Sequence, residues 1–64
     1  MREAELWSRL THHLGRVQAL IWAEGHVISE LGSRTVREAL AAGVPCKQIW
    51  RAVWQNLELP ASER

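Results

Sequence analysis

Three histidines and one cysteine are the side chains of this sequence best suited to hold a metal or attack a substrate: His12, His13, His26 and Cys46. Their spacing suits neither task. His12 and His13 are adjacent, so on a helix they point about 100° apart, and no spacing among the four resembles a zinc motif. A nucleophilic thiol needs a base and an electropositive niche. Cys46 has Lys47 beside it, yet it falls on the apolar side of its helix, where a buried thiol is expected. No glycine-rich phosphate loop and no paired-carboxylate arrangement occurs. The expectation is therefore a non-enzymatic chain with no catalytic residue, no metal site and no cofactor.

Side chains that recognise nucleic acid are better represented. Net charge is only +1, but its distribution is uneven. Residues 1–33 carry a net charge of −1 and residues 55–64 another −1, whereas residues 34–54 carry +3, from Arg34, Arg37, Lys47 and Arg51 against Glu38 alone. The same segment, "RTVREALAAGVPCKQIWRAVW", has the punctuation of a helix-turn-helix. Ala39 lies four residues before the turn glycine, Gly43; Val44 follows it, and Ile49 comes six residues later. Lys47, Gln48, Arg51 and Gln55 then share one face of the second helix, and Arg and Gln suit guanine and adenine edges. The candidate nucleic-acid-binding set is thus Arg34, Arg37, Lys47, Gln48, Arg51 and Gln55. Helical hairpins satisfy the same spacing often, so the leading reading is a packing hairpin with a solvated polar stripe. DNA binding is the alternative.

The elements that position these side chains all read as helix, since no stretch alternates with period two. A first helix is predicted over 3–14, with Leu6, Trp7, Leu10 and Leu14 within an arc of about 100° and Gly15 as its stop. A second is predicted over 16–31, its core face drawn from Val17, Leu20, Ile21, Val27, Ile28 and Leu31, and Gly32 ends it. Glu24 falls in the middle of that apolar arc and Gly25 follows it. A buried carboxylate needs a partner, so either a cation meets Glu24 or the chain bends or ends at Gly25 and turns it outward; the second is favoured. Thr35 and Glu38 have capping-box spacing, which starts a short helix over 36–42. Gly43 supplies the turn, Pro45 suits the first position of a helix over 45–57, and "ELP" ends it. The last residues, "ASER", read as frayed.

On the last helix Cys46, Ile49, Trp50, Val53, Trp54 and Leu57 make a broad apolar face. Four tryptophans with no Phe and no Tyr must carry much of the packing, since each buries on the order of 200 Å². Trp50 and Trp54 read as core. Trp22 lies off the apolar arc of its helix and Trp54 at the edge of its own, so these two are the candidate protein-interaction residues.

Sixty-four residues make one domain, 1–64, near the lower size limit for a self-supporting core. The single cysteine allows no internal disulfide, which fits a reducing cytoplasm. No leader-like run is apparent, and no stretch approaches the roughly 20 apolar residues of a membrane span. The fold class expected is all-α, a compact single-domain bundle of four helices, the third short, with a helix-turn-helix-like C-terminal half.

With these residues in view, the chain resembles a family of short actinobacterial proteins of unknown function, often encoded beside the RecA recombinase and its regulator RecX. "ELW" and "HLG" in the first helix, "HVISELGSRTVREALAAGV" in the centre and "IWRAVWQNLELP" near the end carry the likeness. It covers almost the whole chain. The departures are Gly25, Pro45 with Cys46, and Trp54. The resemblance implies a small helical cytoplasmic protein and, through gene neighbourhood, a link to DNA repair; it brings no catalytic or binding residue with it. The partner expected is a protein, with RecA-associated machinery a candidate. Weak DNA binding through the helix over 45–57 is the minority alternative and a homodimerising structural role is another; no membrane is involved, and the chain itself is a monomer or weak homodimer.

Overall fold

The computed structural model describes all residues, Met1–Arg64. Four α-helices follow one another: α1 (Glu3–Leu14), α2 (Arg16–Gly25), α3 (Val36–Ala41) and α4 (Cys46–Asn56). Single 3₁₀ turns lie at Ser29–Leu31 and Ala61–Glu63. No strand forms; one isolated bridge joins Ile28 to Arg34. The all-α bundle with a short third helix is therefore what the chain adopts. Its radius of gyration, 10.5 Å, is close to the roughly 11 Å that chain-length scaling gives for a compact domain of this size.

A single residue, Gly15, separates α1 from α2, with φ +85°, a left-handed-side value that an L side chain rarely adopts. Helices joined so tightly lie close together, and α2 packs chiefly on α1, with Ala19 and Ala23 the buried side chains of α2 and Leu6 and Leu10 those of α1. Small side chains permit that approach. Burial of this alanine face overturns the core face expected for the second helix: Val17, Leu20, Ile21 and Val27 all point to solvent.

The second helix is also shorter than the expected 16–31. It ends at Gly25, where the His26 amide closes the last turn on the Trp22 carbonyl at 2.9 Å. The physical reason lies in Ile28 and Leu31. Had the helix continued, both would have lain on the same solvent face as Val17 and Ile21. By leaving the helix, the chain swings Ile28 and Leu31 into the core, where both are buried. The Ile28 amide bonds the Arg34 carbonyl at 3.0 Å, closing this loop. Glu24 is turned outward by the same ending.

Thr35 caps α3 through a complete capping box: its Oγ1 accepts the Glu38 amide at 3.1 Å, and Glu38 Oε1 accepts the Thr35 amide at 2.9 Å. After α3, the Gly43 amide reaches the Leu40 carbonyl and the Val44 amide the Ala39 carbonyl, the paired bonds of a Schellman turn. Pro45 precedes the first turn of α4 rather than opening it, a one-residue difference from the expected start. The core face of α4 is Ile49, Trp50, Ala52 and Val53. It is rotated from the expected face because Ala52, again a small residue, is buried too.

The tail is not frayed. The Trp50 indole N–H donates to the Glu63 carbonyl at 2.9 Å, and the Trp54 indole N–H to the Pro60 carbonyl at 2.8 Å. His13 Nε2 lies 3.3 Å from a Glu63 carboxylate oxygen. A second Schellman turn makes this return possible: the Leu59 amide bonds the Trp54 carbonyl, with Glu58 held at φ +53° where glycine is favoured.

Two stability predictions follow from these placements. Ala23→Leu should cost about 1–3 kcal/mol, the ordinary range for overpacking, whereas Leu20→Ala should stay within about 0.5 kcal/mol; urea unfolding measures both, and a larger cost for Leu20→Ala would contradict the buried alanine face. Glu58→Gly relieves a left-handed residue, so thermal unfolding should move up by a few degrees, about 0.5–1 kcal/mol.

Candidate functional site

The side chains expected to read nucleic acid separate into two groups. Arg37, on α3, faces α1 and α2: its guanidinium lies 5.1 Å from the Trp7 ring centroid, and its Nε sits 3.5 Å from Glu24 Oε1. Arg34 turns back on its own loop, where Nη1 donates to the Leu31 carbonyl at 3.4 Å. Both cations are occupied within the fold. Lys47, Gln48, Arg51 and Gln55 are all exposed on α4, and neither Lys47 nor Arg51 takes part in an ion pair.

Gln48, Arg51 and Gln55 line a shallow cleft of about 420 Å³ with Trp54, Arg64 and Glu30. The Glu30 carboxylate in that lining opposes a polyanion. The positive segment of the sequence is thus not one positive surface.

The four tryptophans share a pattern. Each is covered by a basic or imidazole side chain: Arg37 over Trp7, His26 stacked on Trp22 at 4.8 Å, Arg9 over Trp50 at 5.5 Å, and Arg64 over Trp54 at 5.4 Å. Trp50 is also stacked on His13 and is buried. Trp22 and Trp54 are half-buried and packed against the core. Trp54 additionally spends its indole N–H on the tail. Neither is an open aromatic anchor. His12 and His13 meet edge to face at 5.0 Å, and no three His, Cys, Asp or Glu side chains are grouped as a metal ion requires. Cys46 is half-buried against the core.

What lies open is the outer face of α2. Val17, Leu20 and Ile21 expose 66%, 44% and 59% of their surfaces, at the i, i+3, i+4 spacing that places them in one stripe. Glu24 completes the stripe one turn on, exposed and tied to Arg37. Val27, just beyond the helix, is also exposed. The apolar arc seen in the sequence is real; it faces outward instead of inward.

The profile of a protein family of unknown function (DUF3046) matches residues 1–62. The chain belongs to that family. Comparison with curated proteins and with solved structures gives no match. Family membership thus joins the chain to others of its kind without assigning an activity. No helix is long and apolar enough to cross a membrane.

Truncation distinguishes the half-buried tryptophan from an open one. Trp54→Ala removes the Pro60 bond and the Arg64 stacking surface, so thermal unfolding should show a loss of about 2 kcal/mol. Amides of residues 61–64 should also exchange faster; unchanged stability would make Trp54 a free surface residue.

Proposed function

We propose that this chain is a non-enzymatic interaction module whose docking face is the outer surface of α2. The supporting observation is the exposed stripe of Val17, Leu20 and Ile21 on a helix whose other face is already buried. Large aliphatic side chains exposed together on an otherwise closed fold mark protein interaction surfaces. The matching surface is an apolar helical face from a protein partner, with Glu24 and Arg37 forming a polar rim. The likeness to proteins encoded beside RecA and RecX favours a cytoplasmic role linked to DNA repair, and it makes RecA-associated machinery the first external partner to test.

A second reading has one observation in its favour. Lys47 and Arg51 are unpaired cations on a face shared with Gln48 and Gln55, which is how a weak DNA-contacting helix would present them.

Amide-shift mapping of the labelled chain separates the two readings. Titration with RecA should move resonances of residues 17–24, and Ile21→Asp should remove that response while thermal unfolding stays unchanged. Shifts confined to 47–55 on adding duplex DNA at low salt, weakened by Lys47→Ala with Arg51→Ala and falling steeply with salt, would favour the second reading instead.

A further inference from the structure

We propose that the partner helix for the α2 face is α2 of a second copy of this chain, packed antiparallel about a two-fold axis beside Leu20. The inference rests on the reading of the α2 stripe as a docking face. It adds the occupant and the register.

Charge placement selects the arrangement. The stripe begins beside Arg16 and ends at Glu24. Arg16 makes no ion pair within the chain, and Glu24 engages only Arg37, through one carboxylate oxygen at 3.5 Å. Parallel α2 helices would set Arg16 against Arg16 and Glu24 against Glu24. An antiparallel pair centred on Leu20 instead brings Arg16 of each copy to Glu24 of the other, forming two complementary contacts. Between them, Val17, Leu20 and Ile21 meet the same three residues of the second copy. A face whose charges are self-complementary under a two-fold rotation is the requirement of an isologous interface.

Area sets the strength. Val17, Leu20, Ile21 and Val27 expose on the order of 300–400 Å² of apolar side chain, whereas a standard stable interface takes about 800 Å² from each partner. The dimer is therefore weak and reversible, since so small a face falls well short of a permanent interface. Monomer and dimer coexist, and the same face remains available to another apolar helix at low concentration.

Sedimentation equilibrium on the full chain, from about 10 µM to about 1 mM, tests this. The weight-average mass should rise from 7.3 kDa toward twice that value. Leu20→Asp should hold it at the monomer mass with unchanged thermal unfolding. Arg16→Glu and Glu24→Arg should each weaken association about tenfold, and the double exchange should restore it, because only the proposed register pairs these positions. Circular dichroism confirms that each variant is folded, and Arg16→Glu, which touches no other charge in the fold, tests the register without disturbing Arg37.

A constant mass across the whole range overturns the second copy as occupant. If Ile21→Asp still abolishes binding to RecA in that case, the docking face itself stands. Association that Leu20→Asp leaves intact runs through another surface and overturns the α2 dimer, while the docking-face reading then stands or falls on whether Ile21→Asp abolishes RecA binding. Association that Leu20→Asp removes but the double exchange does not restore overturns the register proposed here.

Discussion

The structure depends on the close approach of α2 to α1 through alanine. A one-residue connection at Gly15 leaves little room between the helices, and Ala19 and Ala23 are the side chains of α2 that fit there. Once those two positions face inward, helical periodicity turns Val17, Leu20 and Ile21 outward. It also makes continuation of the helix past Gly25 unfavourable, since that would strand Ile28 and Leu31 in water. Core composition, the end of α2 and the nature of its outer surface all follow from one packing contact.

The second organising feature is Trp50. Its ring fills the centre of the fold, while its indole N–H needs an acceptor once buried. The Glu63 carbonyl supplies it, so the C-terminal residues form part of the core's polar closure. Trp54 repeats the arrangement through Pro60. In a chain with no disulfide and one small core, these two bonds, each worth about 1 kcal/mol net, tie down a tail whose composition suggests mobility. Stacked cations and imidazoles add smaller contributions, about 0.5–1 kcal/mol each at exposed sites. Arg9, Arg37 and Arg64 are engaged in this way and Arg34 bonds the Leu31 carbonyl, leaving Lys47 and Arg51 of the central cations unpaired.

Local signals were legible in the sequence and long-range ones were not. The Thr35–Glu38 capping box, the Gly43 turn and the bounds of α1 depend on neighbours within a few residues, and the structure shows each where the sequence placed it. Glu24 was recognised as incompatible with a buried arc, and the helix does end beside it. The α2 face differs from the one expected because large aliphatic side chains dominate an apolar arc. Ala19, Ala23 and Ala52 count for little in such an arc, yet small residues occupy close helix contacts. The order of the tail is not legible in its composition because its acceptors are backbone carbonyls, which carry no residue-type signal; the indole N–H groups of Trp50 and Trp54, which need acceptors, are the one clue. The cationic segment looked like one surface because charge was counted along the chain. In space Arg37 belongs to Trp7 and Glu24, and the α4 stripe stands apart.

Energetics bear on why the outer face of α2 is apolar. A chain of 64 residues buries only about 60% of its unfolded surface, so each aliphatic side chain left outside forgoes roughly 1.5–3 kcal/mol of burial. That is a large fraction of the roughly 3–10 kcal/mol such a domain commands. Polar residues at Val17, Leu20 and Ile21 would cost the isolated fold almost nothing, because none of the three is buried. They would also reduce its tendency to associate. Aliphatic side chains at these positions therefore contribute little to folding, which is what the proposed docking face requires. Stability explains the alanines beneath α2, and the proposed association would cover the aliphatic residues above it.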